Sequence, residues 1–133
     1  MKTFTSKSQK TGELGEDIAC RFLVKHGFVI NDRNYTRKWG EIDIVAEKEG
    51  KIYFIEVKSV SCETLPDSSN DNFIKRPEEN MHYQKVRRLS KIIETYLINK
   101  RIGNTEWQFD LLLVYIDMKS RLAKVKKIEN IIL

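Results

Sequence analysis

The stretch Gly40 to Lys58, GEIDIVAEKEGKIYFIEVK, decides how the rest of the chain is read. Glu41 to Ala46 and Ile52 to Lys58 are rich in Ile, Val, Tyr and Phe, and Lys48-Glu49-Gly50 between them is turn-like. That pattern predicts a β-hairpin. If the hairpin is centred between Glu49 and Gly50, Asp43 falls opposite Glu56. Facing side chains on paired strands have Cβ atoms roughly 4.5–5.5 Å apart, so two carboxylates there repel unless a cation lies between them. Strand alternation puts Lys58 on the same side as Glu56, about 6.5 Å along the strand. A three-residue loop with a glycine bulge would offset Asp43 from Glu56. The plain alternative is that Asp43 lies on a solvent face and Glu56 pairs with Lys58.

Outward from this hairpin the chain alternates between helix and strand signals. Residues 1–11 read as a polar, basic, mobile arm, and residues 12–133 as a single domain. From Gly12 to His26 the apolar residues Leu14, Ile18, Phe22 and Leu23 recur at helical spacing, and Gly27 supplies a helix stop. Phe28 to Tyr35 is a short strand candidate. Residues 59–77 are polar and rich in turn formers, a long loop for a compact domain and therefore functional or disordered. From about Glu78 to Arg101 the spacing predicts a long helix with Val86, Leu89, Ile93, Tyr96 and Leu97 inward, ended by Gly103. Trp107 to Asp117 reads as a buried strand and Leu122 to Ile128 as an edge strand. The order α-β-β-β-α-β-β predicts an α/β domain with a mixed central sheet flanked by helices.

Composition narrows the function classes. The 133 residues are 41% hydrophobic and 32% charged, with a net charge of +5, too apolar for wholesale disorder. The longest apolar run, Leu111 to Ile116, is far short of the roughly 20 residues that span a bilayer. The first ten residues lack the features of a secretory signal. Cys20 and Cys62 are too few for a disulfide framework and too far apart for a metal clip, so a reducing cytoplasm and no membrane are expected. Charge is unevenly spread. Residues 74–101 carry eight Lys and Arg against three acids, residues 119–127 carry five and none, and residues 39–58 carry three against five. An acidic centre between basic segments suits a metal-dependent enzyme acting on a polyanion, although a solvated basic surface accounts for charge alone.

Gly12-Glu13-Leu14-Gly15-Glu16, Gly40-Glu41-Ile42-Asp43 and Phe54-Ile55-Glu56-Val57-Lys58 together resemble the YraN family of predicted endonucleases. That family is similar to archaeal Holliday-junction resolvases within the restriction-endonuclease-like group. Asn34-Tyr35, Lys85 with Arg87-Arg88-Leu89, and Phe109-Asp110 extend the likeness over residues 12–117. The resemblance implies a restriction-endonuclease-like fold and Mg²⁺- or Mn²⁺-dependent hydrolysis of DNA, with branched DNA as a substrate. It implies Asp43, Glu56 and the Ile55 carbonyl as metal ligands, Lys58 as the residue beside the attacking water, and Glu16 as the helix glutamate completing the site. The alternative for Glu16 is a helix N-terminal carboxylate favoured by the macrodipole.

Lys85, Arg87, Arg88 and Lys91 cannot all face the core, so they are the expected nucleic-acid contacts. Trp39 and Tyr35 flank the hairpin and could stack on an unpaired base, though aromatics there are more often packing residues. His26, before Gly27, reads as structural. Resemblance to resolvases raises a two-fold homodimer, with Ile131, Ile132 and Leu133 as candidate surface unless they fold back on their own sheet. The rival readings are a non-catalytic nucleic-acid-binding module and an assembly adaptor.

Overall fold

A computed structural model describes residues 7–62 and 83–133. Five strands form one sheet in the order β1 (Val29–Arg37), β2 (Gly40–Lys48), β3 (Lys51–Cys62), β4 (Trp107–Asp117) and β5 (Leu122–Ile128). Only β3 and β4 run parallel, and α2 (Tyr83–Asn99) lies between them in the chain, so the sheet is mixed. With α1 (Lys7–Lys25) leading, the order is the expected α-β-β-β-α-β-β of a restriction-endonuclease-like domain.

Each helix covers one face of the sheet. Ala19 and Leu23 of α1 are buried against Ile44, Ala46, Ile55, Leu112, Val114 and Ile116. Leu89, Ile92, Ile93 and Tyr96 of α2 pack against Tyr35, Ile42, Val45, Ile52, Phe54 and Phe109. Between the two layers β4 is buried from Phe109 to Ile116, Asp110 included, which explains its apolar run from Leu111 to Ile116. α2 is also tied to β1, where the Tyr96 hydroxyl donates to Asp32 at 2.6 Å and Asn99 donates to the Tyr35 hydroxyl at 3.0 Å.

Several boundaries differ from the sequence reading. α1 begins at Lys7 rather than Gly12. Gly12 lies inside the helix, with open space where a side chain would be. β3 continues through Cys62 and takes up the start of the expected loop, whose remainder, with the start expected for α2 at Glu78, lies outside the described residues. The inward face of α2 includes Ile92, while Val86 lines a surface groove instead.

Gly103 does not end α2. Arg101 adopts a left-handed φ of 53°, with Ile102 N–H donating to Leu97 O and Arg101 N–H to Ile98 O, a Schellman cap. Ile102 packs with Leu97 against the α2-side core, and that contact holds a non-glycine residue at the cap. α1 ends as expected, with Gly27 at φ 88° and Phe28 N–H bonded to Leu23 O. The C-terminal segment folds back: Ile131 N–H bonds Phe109 O at 2.8 Å, Ile131 and Leu133 pack on the core, and Ile132 stays exposed.

Candidate active site

The β2–β3 turn has two residues, Glu49 at φ 50° and Gly50 at φ 76°, closed by Lys48 facing Lys51. Positive φ at both positions is the tight hairpin turn that matches strand twist. It sets the register without a bulge, and the ladder runs to Ile44 facing Ile55. Asp43 and Glu56 are the next facing positions. The ladder stops there, and the Asp43 carboxylate reaches across to accept the Val57 N–H at 2.8 Å.

That row is also where two strands change phase. In β1, Arg33 reaches α1 while Tyr35 packs under α2, although both are odd-numbered; Asn34 between them has φ 52°. In β2, Ile44 packs under α1 and Ile42 under α2. Regular strands would keep each pair on one face. Asparagine is among the few residues that accept this left-handed conformation. A line of polar side chains, Asn34, Asp43 and Glu56, therefore crosses β1, β2 and β3 where β1 and β2 shift their alternation between the two faces while β3 keeps its own.

Helix α1 supplies the fourth side chain. Gly15 is buried against β3, and a Cβ on it would run into the Ser59 side chain. This close approach brings the next residue, Glu16, over the strands. With its amide nitrogen turned toward them, Asn34 donates to Glu16 Oε1 and Glu41 Oε1, each at 3.1 Å. Arg33 pairs with Asp17 at 3.0 Å and lies 4.0 Å from Glu16. Glu16 is thus held over the sheet by β1 rather than left as a helix-end carboxylate.

Electrostatically the cluster is strained. Burial, then the neighbouring Glu16, Glu56 and Glu41, push the Asp43 carboxyl up to about 7, against the lowering effect of the Val57 N–H. Asp43 therefore does not lie on a solvent face. Glu56 is half-buried and Lys58 is exposed on the same strand. Among the described residues no three His, Cys, Asp or Glu side chains form a ready metal cage. The donor set suits a cation that keeps much of its water, as Mg²⁺ does when bound by one or two carboxylates. Asp43 and Glu56, with the Ile55 carbonyl, would supply such a set.

The expected basic contacts lie on the other helix. Arg87, Arg88 and Lys91 are exposed on the first half of α2 and line a groove with Trp39. The Lys85 side chain lies outside the described residues. His26 is structural as expected, its ring stacked 4.2 Å from Phe22 and bonded to the Phe22 carbonyl. Asn34 and Gly15 belong to the family-like stretches without a role of their own in the sequence, and Arg33 stands in none of them. The signal for Asn34 was its residue type, which favours positive φ inside a strand.

A match to UPF0102, an uncharacterised protein family, spans residues 15–114, from the Gly15 contact through the Asp43–Glu56 row to the core of β4. The chain belongs to the UPF0102 family. The YraN resemblance read from the sequence is therefore borne out at the level of family. A UPF0102 protein of Dictyoglomus turgidum is 32% identical over 92% of this chain and 97% of its own length. One from Campylobacter jejuni strain RM1221 is 38% identical over 84% and 89%. Another, from Clostridioides difficile strain 630, is 34% identical over 82% and 88%. UPF0102 membership covers the whole site. No helix among the described residues is long and apolar enough to cross a membrane.

Proposed function

We propose that this UPF0102 protein is a divalent-metal-dependent endonuclease that hydrolyses phosphodiester bonds in DNA, branched DNA included. One observation carries the reading: a half-buried Asp43 carboxylate fixed by the Val57 N–H and surrounded by Glu16, Glu56 and Glu41. Like charges gathered around a desolvated carboxylate are unfavourable unless a proton or a cation joins them. A bound Mg²⁺ or Mn²⁺ supplies Lewis-acid polarisation of the scissile phosphate.

The chain's own residues do the rest. Asp43 and Glu56 hold the ion, and the Val57 N–H keeps Asp43 in one orientation. Lys58, two residues beyond Glu56 on the same strand, brings a positive charge to the phosphate and to the attacking water. Glu16, steadied by Asn34 and Arg33, closes the site from α1. The rival, a nucleic-acid-binding module without catalysis, draws support from the two-carboxylate donor set alone.

The test is cleavage of linear, flapped and four-way DNA with Mg²⁺ or Mn²⁺ against EDTA. Strand cleavage is expected only with metal, slowed on the order of 10²–10³-fold by Glu56→Gln. No cleavage of any substrate, or equal cleavage by the variant, would reject the nuclease in favour of the binding module.

A further inference from the structure

A groove of about 580 Å³ lies between the β1–β2 turn and the first half of α2. Trp39 forms one wall, and Arg87, Arg88, Ser90 and Lys91 line the other, with Glu94 also present. The two walls are locked together, because the Gly40 backbone lies against the Arg88 carbonyl and Ile92, where a Cβ would meet them at 3.5 and 3.6 Å. Trp39 is 37% exposed, so much of the indole is buried in this junction and the rest faces the groove. The Lys91 ammonium lies over the indole face, 5.2 Å from its centroid, and a base stacking there takes its place as Lys91 turns to a phosphate.

An aromatic ring in a cleft with three cations and one carboxylate fits a particular chemistry. Phosphates pair with the guanidinium and ammonium groups, and a nucleobase stacks on the indole. A base within a duplex is already stacked on both faces and has none to offer. We propose that this groove binds an unpaired nucleotide in a single-stranded segment of nucleic acid, with Trp39 as the stacking platform and Arg88 and Lys91 as phosphate contacts. The assignment deepens the nuclease reading and rests on it for substrate class. Trp39 precedes β2, and Asp43 lies four residues further along, roughly 13 Å at strand rise. A strand held in the groove therefore reaches the carboxylate row within a few nucleotides. The substrate class is DNA with a single-stranded segment beside the bond that is cut.

The test uses the full chain in EDTA, so that binding is read without cleavage. The protein has two tryptophans. Trp107→Phe leaves Trp39 as the only one and keeps an aromatic ring against Phe54. Labelled oligothymidylate should quench Trp39 emission. Trp39→Ala should weaken oligothymidylate binding about tenfold while changing affinity for duplex of equal length by less than about twofold. Trp39→Phe, which keeps a ring, should recover part of the loss and guards against a folding defect. Absence of quenching, or an equal loss on both DNAs, would overturn the assignment and leave Trp39 a packing residue. So would displacement of oligothymidylate by polyglutamate at the same charge concentration, which would mark a general anion surface. If Trp39-dependent single-strand binding is present but no DNA is cut with metal, the groove stands and the catalytic reading falls. If cutting is present and Trp39→Ala leaves single-strand binding intact, the groove alone falls.

Discussion

At the hairpin end of β2 and β3, Lys48 faces Lys51 around a two-residue turn, and Ile44 to Glu47 pair residue for residue with Ile52 to Ile55. One step further, at Asp43 and Glu56, the ladder gives way to a side-chain bond and β2 shifts its alternation between the two faces. The regular end is held by burial on both faces. The irregular end depends on Asn34 in a left-handed conformation, on Asp43 reaching the Val57 amide, and on Gly15 letting α1 approach β3. Left-handed backbone occurs at both ends, at Glu49 in the turn and at Asn34 beside the site, but the crowding of carboxylates around Asp43 belongs to the irregular end alone. The contrast teaches that the hairpin sets the register and the phase break uses it.

The largest effect expected from this contrast is a pH dependence confined to the irregular end. In EDTA, native Asp43 keeps its proton up to about pH 7, whereas in the unfolded chain it loses it near the ordinary aspartate value of 3.8. Below that value both states are protonated and the group costs nothing. As pH rises through the window the native state alone retains the proton, so stability falls, by roughly 4 kcal/mol at most once both have ionised. Asp43→Asn should flatten this slope and be the more stable protein at pH 8 without metal. Because a cation must displace that proton, Mg²⁺ should raise the melting temperature more at pH 8 than at pH 6 in the parent protein, and little in the variant. Chemical denaturation across pH, with and without Mg²⁺, reads all of this. Parallel curves for the two proteins would break the comparison.

How much of this was legible in the sequence follows from the same contrast. The turn residues Glu49-Gly50 and the alternating apolar positions around them dictate the register, so the facing of Asp43 and Glu56 could be read from the chain. β4 and β5 were equally readable, because an unbroken apolar run and the turn after Asp117 mark their limits. The phase change was not readable. Period-two reasoning assumes regular backbone, and Asn34 breaks it through a dihedral angle that residue type suggests but does not fix. The cap at Arg101 was hidden for a related reason: a tertiary contact of Ile102 overrides the local preference for glycine. Arg33 was missed because its partners, Glu16 and Asp17, lie on a helix that only the fold brings near.

An intermediate effect is expected at Gly15. A methyl group there collides with the Ser59 side chain, and overpacking of this kind costs about 1–3 kcal/mol, less the helix propensity that alanine restores. Relief requires α1 to move away from β3, which carries Glu16 away from Asp43. Gly15→Ala should therefore lower both stability and the Mg²⁺-dependent rise in melting temperature. The double variant Gly15→Ala with Ser59→Gly removes the colliding atoms and should recover both. If Gly15→Ala changed stability but left the metal response whole, the approach of α1 would serve packing alone.

The smallest effect belongs to the regular end. Gly50 has a positive φ, but open space surrounds the position where a Cβ would lie. Gly50→Ala thus meets backbone strain without collision, at a cost of about 1 kcal/mol. The strain sits at the tip of the turn, and the paired residues from Lys48 to Ile44 separate it from Asp43. Those pairs are closed by burial rather than by the turn alone, so the register should survive the substitution. The variant should melt slightly lower than the parent, with the same Mg²⁺-dependent increment and the same pH slope. A slip of one residue at the turn would give a different result: Asp43 would no longer face Glu56, and the metal increment would vanish for a change that removes no ligand. Measuring the increment in Gly50→Ala beside Asp43→Asn separates those outcomes, because only a hairpin that sets the register independently of its turn residue leaves the first intact while the second loses it.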